Sequence, residues 1–289
     1  MKFSTCPDSY AFLFDVDGVI AETPHEEAWK EAAIDWELVA KSYDFTGFYA
    51  AHVAGEPGLT GAGNILELLC EKDCSSYYEK KSIIETRARR DLAVSFRNLK
   101  QEYLNRFIAA GQFQVFADIV RMILELKAAG FPIAAVSASE NAKKILDRID
   151  AVSLARQLNL ARALTGLEKS LYDIFDTTAL GSISHWHGAA IKKTAHYAMA
   201  YGKLLGKINP ATIPYVVVFE DAPRGVAAVT SLGFCCVGIS RISTSGTCLA
   251  SVDELKRNGA ELAFTETELE NLSPETLLSA LRGIVGSSA

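Results

Sequence analysis

Residues 10–19 read Tyr-Ala-Phe-Leu-Phe-Asp-Val-Asp-Gly-Val, an apolar run that stops at two aspartates one residue apart and a glycine. Residues 10–14 have the length and aromatic content of a strand buried on both faces, which normally ends in polar turn residues. Asp15 and Asp17 therefore sit at a carboxyl end. Two carboxylates placed there cannot both ionise cheaply unless a cation compensates them or one of them keeps a proton. A strand followed by an ordinary Asp-Gly turn shows the same pattern, so the other strand ends have to decide between chemistry and a turn.

Two of them are as polar. The run at 132–136 ends in Ser137-Ala138-Ser139, and the run at 213–219 ends in Glu220-Asp221. In a doubly wound sheet the ligand crevice lies outside the carboxyl ends of the strands. Asp15, Asp17, Glu220 and Asp221 gathered there concentrate negative charge that a hard divalent cation would balance, and Mg²⁺ fits carboxylate and carbonyl ligands completed by water and a phosphate. The helices expected after Ser139 and from Pro223 point their positive ends at the same crevice, which favours an anion such as phosphate. Phosphoryl transfer then needs a nucleophile, a proton donor and fixed positive charge. Asp15 can attack phosphorus, and Asp17 can protonate the leaving oxygen and later serve as base toward water. The positive charge falls to Lys192 or Lys193, ahead of a helical pattern.

These residues need a scaffold. From 23 to about 107 the pattern is helical almost throughout. Thr23-Pro24-His25-Glu26 predicts an N-cap, a proline in the first turn and a capping-box glutamate, and Trp29, Ala33, Trp36, Ala40 and Tyr43 follow at helical spacing. The glycine-rich stretch 55–63 is expected to interrupt the helices, and it lacks the Gly-Lys-Ser/Thr ending of a P-loop. The basic run from Arg87 through Arg97, Lys100 and Arg106 predicts a solvated helix face. After Gly111 strands and helices alternate, with strands at 132–136, 213–219, 234–239 and 261–265 and helices at 141–149 and 223–232. The expected fold is α/β, a doubly wound, Rossmann-like parallel sheet with a small inserted α-helical domain. Residues 1–22 and 111–289 form the core, and 23–110 form a cap inserted after the first strand.

Bulk composition narrows the partners. The 289 residues are 49% hydrophobic with a formal net charge of -6, which gives no electrostatic reason to bind nucleic acid or an anionic membrane. Six cysteines (6, 70, 74, 235, 236 and 248) form no Cys-x-x-Cys pair, and with no secretory or long apolar segment they read as reduced thiols in the cytoplasm. Cys70 and Cys74 lie one helical turn apart and read as packing rather than as a zinc site. His185-Trp186-His187 reads as a loop or substrate contact rather than a metal centre.

Taken in order, these motifs resemble those of the haloacid dehalogenase superfamily, over nearly the whole chain. Asp15-Val16-Asp17-Gly18-Val19 is similar to its first motif, with Asp15 as nucleophile and Asp17 as general acid/base. Ser137 matches the second, a hydroxyl that binds the transferring phosphoryl group, and Lys192 matches the third by its distance to Gly206, with Lys193 as runner-up. Glu220-Asp221 resembles the fourth, which with Asp15 and the Asp17 carbonyl holds Mg²⁺. The helical insert is similar to that of the β-phosphoglucomutase-like subgroup, and His25-x-x-Ala28-Trp29 matches its first cap helix, making His25 a candidate for the histidine that helps bring Asp17 into play, with a surface position in the first helical turn as the alternative. Gly18, Ser139 and Asn141 join His25 as candidate substrate contacts.

One departure bears on the reaction. Relatives that grip a second phosphate place a Lys or Arg just after the second-motif serines, whereas this chain has Glu140, and its glycine-rich cap loop has no Arg or Lys. The resemblance therefore implies a Mg²⁺-dependent phosphatase acting on a small phosphorylated metabolite. A sugar-phosphate mutase and a non-catalytic phosphometabolite-binding protein are the alternatives. A dehalogenase is disfavoured, because displacing halide requires no acid at position 17. The chain is expected to be a monomer or weak homodimer.

Overall fold

The computed structural model describes residues 10–70, 86–160, 170–181, 189–207, 215–243, 246, 248 and 250–287. The chain divides into two compact units, one of residues 1–22 with 114–289, the other of residues 23–113. The first unit opens with β1 (Tyr10–Asp15) and β2 (Ala21–Glu22). The second carries α1 (His25–Asp35), α2 (Thr46–His52), α3 (Gly58–Cys70) and α4 (Thr86–Ala109). The first then resumes with β3 (Gln114–Val115), α5 (Ala117–Ala128), β4 (Ile133–Ser137), α6 (Ala142–Leu146), α7 (Ala151–Gln157) and a 3-10 turn at Leu171–Ile174. It continues with β5 (Thr177–Leu180), α8 (Ala189–Leu205), β6 (Tyr215–Glu220), α9 (Pro223–Ser231), β7 (Cys235–Ser240) and α10 (Val252–Arg257). It ends with β8 (Leu262–Thr265), α11 (Glu266–Glu270) and α12 (Pro274–Ser287). The chain returns to the first unit at 113/114 rather than 110/111, because Gln114 and Val115 pair antiparallel with Glu22 and Ala21.

Six strands form one parallel sheet in the order β5-β4-β1-β6-β7-β8, the doubly wound, Rossmann-like arrangement that the alternation of strands and helices implied. β1 lies at its centre and is buried along its whole length. Successive side chains of a strand face opposite sides. Ala11 and Leu13 of β1 and Val216 and Val218 of β6 therefore point to one face, where they pack with Tyr197, Ala200 and Leu204 of α8 and Val226 and Val229 of α9. Phe12, Phe14 and Phe219 take the alternate positions, Phe14 stacking on Phe219 at 4.6 Å and Phe12 meeting Phe131 edge-on at 5.4 Å. The edge strand β5 escapes a search for apolar runs because only alternate residues, Thr177 and Ala179, are buried.

The helical unit is built around Phe96 of α4, whose ring lies 5.6 Å from that of Trp29 and 5.0 Å from that of Trp36. Three expectations change there. The capping box does not form: α1 starts at His25 without a side-chain cap, and the Glu26 carboxylate accepts instead from the Thr46 hydroxyl at 2.6 Å. The glycine-rich stretch interrupts the helices only at its start, where residues 53–57 leave the helix with Gly55 at φ +74°, since α3 already begins at Gly58. Its residue 61 approaches Val53 and Trp29 so closely that a Cβ would lie 3.1 Å from the Val53 side chain, and Ala62, Ile65 and Leu66 continue as a buried face. Lys100 is not on a solvated face either, being only 7% exposed. Cys6, Cys74 and the segment His185-Trp186-His187 lie outside the described residues, as does the side chain of Cys70, while Cys235, Cys236 and Cys248 are free thiols.

Candidate active site

Strand alternation builds the site. Asp15 continues the Ala11–Leu13 series of β1, and Glu220 continues the Val216–Val218 series of β6. The register pairs Phe14 with Phe219, so the two acids end neighbouring strands side by side on the face covered by α8. From that helix Lys193 places Nζ 3.2 Å from Asp15 Oδ2 and 2.6 Å from Glu220 Oε1. One turn further along α8, the Tyr197 hydroxyl donates to Glu220 Oε2. Asp221 follows in the turn, and oxygens of Asp15, Glu220 and Asp221 lie within 4.8 Å of one another.

Glycines make this crowding possible. A Cβ on Gly18 would sit 2.0 Å from Asp221 Oδ2, and one on Gly225 would sit 1.8 Å from Glu220 Oε1. Gly18 also has φ +86°, a left-handed conformation that side chains disfavour. The turn it makes returns its N–H to the Ala21 carbonyl at 2.9 Å and carries the half-buried Asp17 beside the cluster. At the end of β4, buried Ser137 accepts from the Ser139 N–H at 3.1 Å, and the Ser139 hydroxyl accepts from the Asn141 N–H at 3.2 Å.

The electrostatics are those of an acidic site short of positive charge. Burial first, and then Glu220, Asp221 and Asp17, raise the Asp15 carboxyl well above the usual carboxylate range, with Lys193 opposing. Asp221 is pushed up to about 7, again by burial and then by Glu220. Burial works against the Lys193 charge, yet Asp15, Glu220 and Asp221 together hold its ammonium above the ordinary lysine range. Burial and the Glu220 charge likewise raise the Tyr197 phenol, so it remains a donor. Asp221 Oδ1 is buried without a hydrogen-bond partner among the described residues. An orphaned carboxylate oxygen beside two further acids is a donor set that fits a hard divalent cation.

The sequence-predicted residues are thus distributed unevenly. Asp15, Glu220 and Asp221 come together with Gly18, and Ser137, Ser139 and Asn141 are linked by hydrogen bonds at the next strand end. Lys193 has its ammonium at the cluster, while the side chain of Lys192, the lysine preferred from sequence, lies outside those described. The signal was present: Lys193, Tyr197, Ala200 and Leu204 recur at helical spacing, and the last three are fully buried. His25 belongs to the helical unit, where its Nδ1 lies 2.8 Å from Lys100 Nζ, and that ammonium sits 5.2 Å above the Trp29 ring. Neither Lys100 nor Tyr197 was anticipated from sequence.

A model of the haloacid dehalogenase-like hydrolases matches residues 11–233, and the chain belongs to that family. It is an enzyme acting on phosphate esters. Among curated proteins it is similar to a β-phosphoglucomutase of Mycobacterium tuberculosis, 27% identical over 268 residues and covering 89% of each chain. Among solved structures it resembles the archaeal β-phosphoglucomutase from Pyrococcus sp. strain ST 04, with a TM-score of 0.68, 27% identity and coverage of 95% of this chain and 99% of the other. The fold is shared with a predicted phosphoglycolate phosphatase from Haemophilus somnus at a TM-score of 0.55 and 13% identity, covering 89% and 94%. Among the described residues no helix is long and apolar enough to cross a membrane.

Proposed function

We propose that this protein is a Mg²⁺-dependent phosphatase that hydrolyses a small phosphorylated metabolite through an aspartyl-phosphate at Asp15. The observation that supports it most is the placing of Lys193 Nζ between Asp15 and Glu220, with Ser137 and Asp221 at the flanking strand ends. An Asp15 oxygen attacks phosphorus while the ester P–O bond breaks, and Asp17 gives its proton to the leaving oxygen. Lys193 and the Ser137 hydroxyl hold the equatorial oxygens as charge shifts onto them. Water then attacks the acyl phosphate, Asp17 takes its proton, and phosphate leaves with Asp15 restored. Asp15, Asp221 and the Asp17 carbonyl would hold the Mg²⁺, whose chemistry is to neutralise phosphoryl charge. The helical unit is read as the cap, and His25 as the candidate for the histidine that helps bring Asp17 into play. A phosphomonoester panel with Mg²⁺ tests the proposal. Turnover that disappears in Asp15→Asn is expected, and full activity in that variant refutes it.

A second reading, a sugar-phosphate mutase, draws support from the two 27% identical relatives and from one feature of the core. Lys143 and Lys203 share with Ser139 and Glu140 a cavity of about 220 Å³, so cations stand near the position where Glu140 would repel a second phosphate. Product analysis on a sugar 1-phosphate with a trace of its bisphosphate separates transfer from hydrolysis.

A further inference from the structure

We infer that Tyr197 is a positioning residue for this site, its hydroxyl fixing the carboxylate that holds Lys193 against Asp15. Tyr197 is fully buried on α8, one turn beyond Lys193, so helix geometry aims both side chains at Glu220. Glu220, itself fully buried, has both oxygens engaged. Oε1 accepts from Lys193 Nζ at 2.6 Å and from the Ala222 N–H at 3.4 Å, and Oε2 accepts from Tyr197. Gly225 closes the space on the other side, a Cβ there falling 1.8 Å from Oε1. Glu220 is thus clamped between a phenol, an ammonium and helix backbone.

The two consecutive acids consequently divide the work. Glu220 spends its lone pairs on orienting Lys193, and Asp221 keeps Oδ1, which lacks a partner among the described residues, for the cation. Without the phenol, Glu220 Oε2 is left in an apolar interior and gains by turning both oxygens toward Lys193, which draws the ammonium off Asp15. That change touches the charge balance of the transition state and leaves the rest of the substrate's binding alone.

The kinetic arm of the test rests on the phosphatase reading, and the spectroscopic arm does not. With p-nitrophenyl phosphate and Mg²⁺, Tyr197→Phe is expected to lose about tenfold or more in kcat with KM within about twofold. The loss should vanish when Glu220→Gln is already present, because the residue acts through Glu220. Unchanged kcat, or an equal loss in the Glu220→Gln background, overturns the inference. In the metal-free wild-type protein, proton NMR should show a slowly exchanging downfield hydroxyl proton coupled through space to the Tyr197 ring. Its absence overturns the inference even if Tyr197→Phe fails to fold. Wild-type protein inactive on the phosphate ester yet showing this proton would defeat the phosphatase reading and leave the role of Tyr197 standing.

Discussion

Lys193 holds its ammonium 3.2 Å from the Asp15 carboxylate while Glu220 anchors it at 2.6 Å from the other side. A cation fixed in this way can meet phosphoryl oxygens without reorganising during the reaction. Lys193→Met should therefore lower kcat by about 10²–10³, the usual cost of removing a preorganised charge-stabilising group. Lys192→Met should stay within about threefold of wild type, since Lys193 already supplies the ammonium between Asp15 and Glu220. Steady-state kinetics on one phosphomonoester distinguish the two, and a larger loss in the Lys192 variant would reverse the assignment.

The pH dependence of metal binding follows from Asp221, raised to about 7 by burial and by Glu220. Its folded value lies above that of the unfolded chain, so folding favours the protonated form. That contribution to stability is complete below about pH 4 and is lost as pH rises through about 7. A divalent cation requires the ionised form and displaces the proton. The apparent affinity for Mg²⁺ should accordingly rise about tenfold per unit between roughly pH 5.5 and 7, and more steeply where the Asp15 carboxyl, also raised by burial, gives up its proton. Thermal melts with EDTA or Mg²⁺ at several pH values would show a growing metal-induced shift. A shift of equal size at pH 5.5 and 8, or an unaltered profile in Asp221→Asn, would contradict this.

Much of the core was legible because its signals are local. The apolar runs ending in Asp15, Ser137 and Glu220 are central strands buried on both faces, and buried strands leave continuous hydrophobic sequence. β5 left no such run, being an edge strand with Thr178 and Leu180 half-buried. Spacing to Gly206 favours Lys192, whereas the helical stripe of Tyr197, Ala200 and Leu204 that packs against the sheet also runs through Lys193. Lys100 looked solvated by composition, yet tertiary packing sets it over Trp29 and against His25. The glycines at 58, 61 and 63 looked like a loop, yet the close approach at Gly61 shows why a small residue suits that helix.

Gly225 offers a steric test of the same cluster. A methyl group there would overlap Glu220 Oε1 at 1.8 Å, and the carboxylate, clamped by Tyr197 and Lys193, has to move. Gly225→Ala gains helix propensity of about 1 kcal/mol, while overpacking a filled interior costs about 1–3 kcal/mol. The net expectation is a slightly lowered Tm with a disproportionate loss of kcat, because Lys193 moves with Glu220. A variant that is more stable and equally active would mean that Glu220 has room the close contact denies it.

Under the phosphatase reading proposed above, Glu140 would weigh against an anionic substrate tail. It is exposed beside Ser139 and shares its cavity with Lys143 and Lys203. Lys143 is already bound to Asp147 at 2.7 Å and Lys203 to the Thr178 carbonyl at 2.8 Å, so the acid is the less committed charge. Replacing it by lysine reverses two units of charge near the tail. At a separation of about 7 Å in a solvated, screened setting, that change is worth on the order of 1 kcal/mol, or about fivefold. Glu140→Lys should therefore raise kcat/KM for a sugar bisphosphate relative to the matching monophosphate by about that factor, and the gain should shrink in high salt. An unchanged ratio would show that the tail does not approach this strand end, and that specificity is set elsewhere.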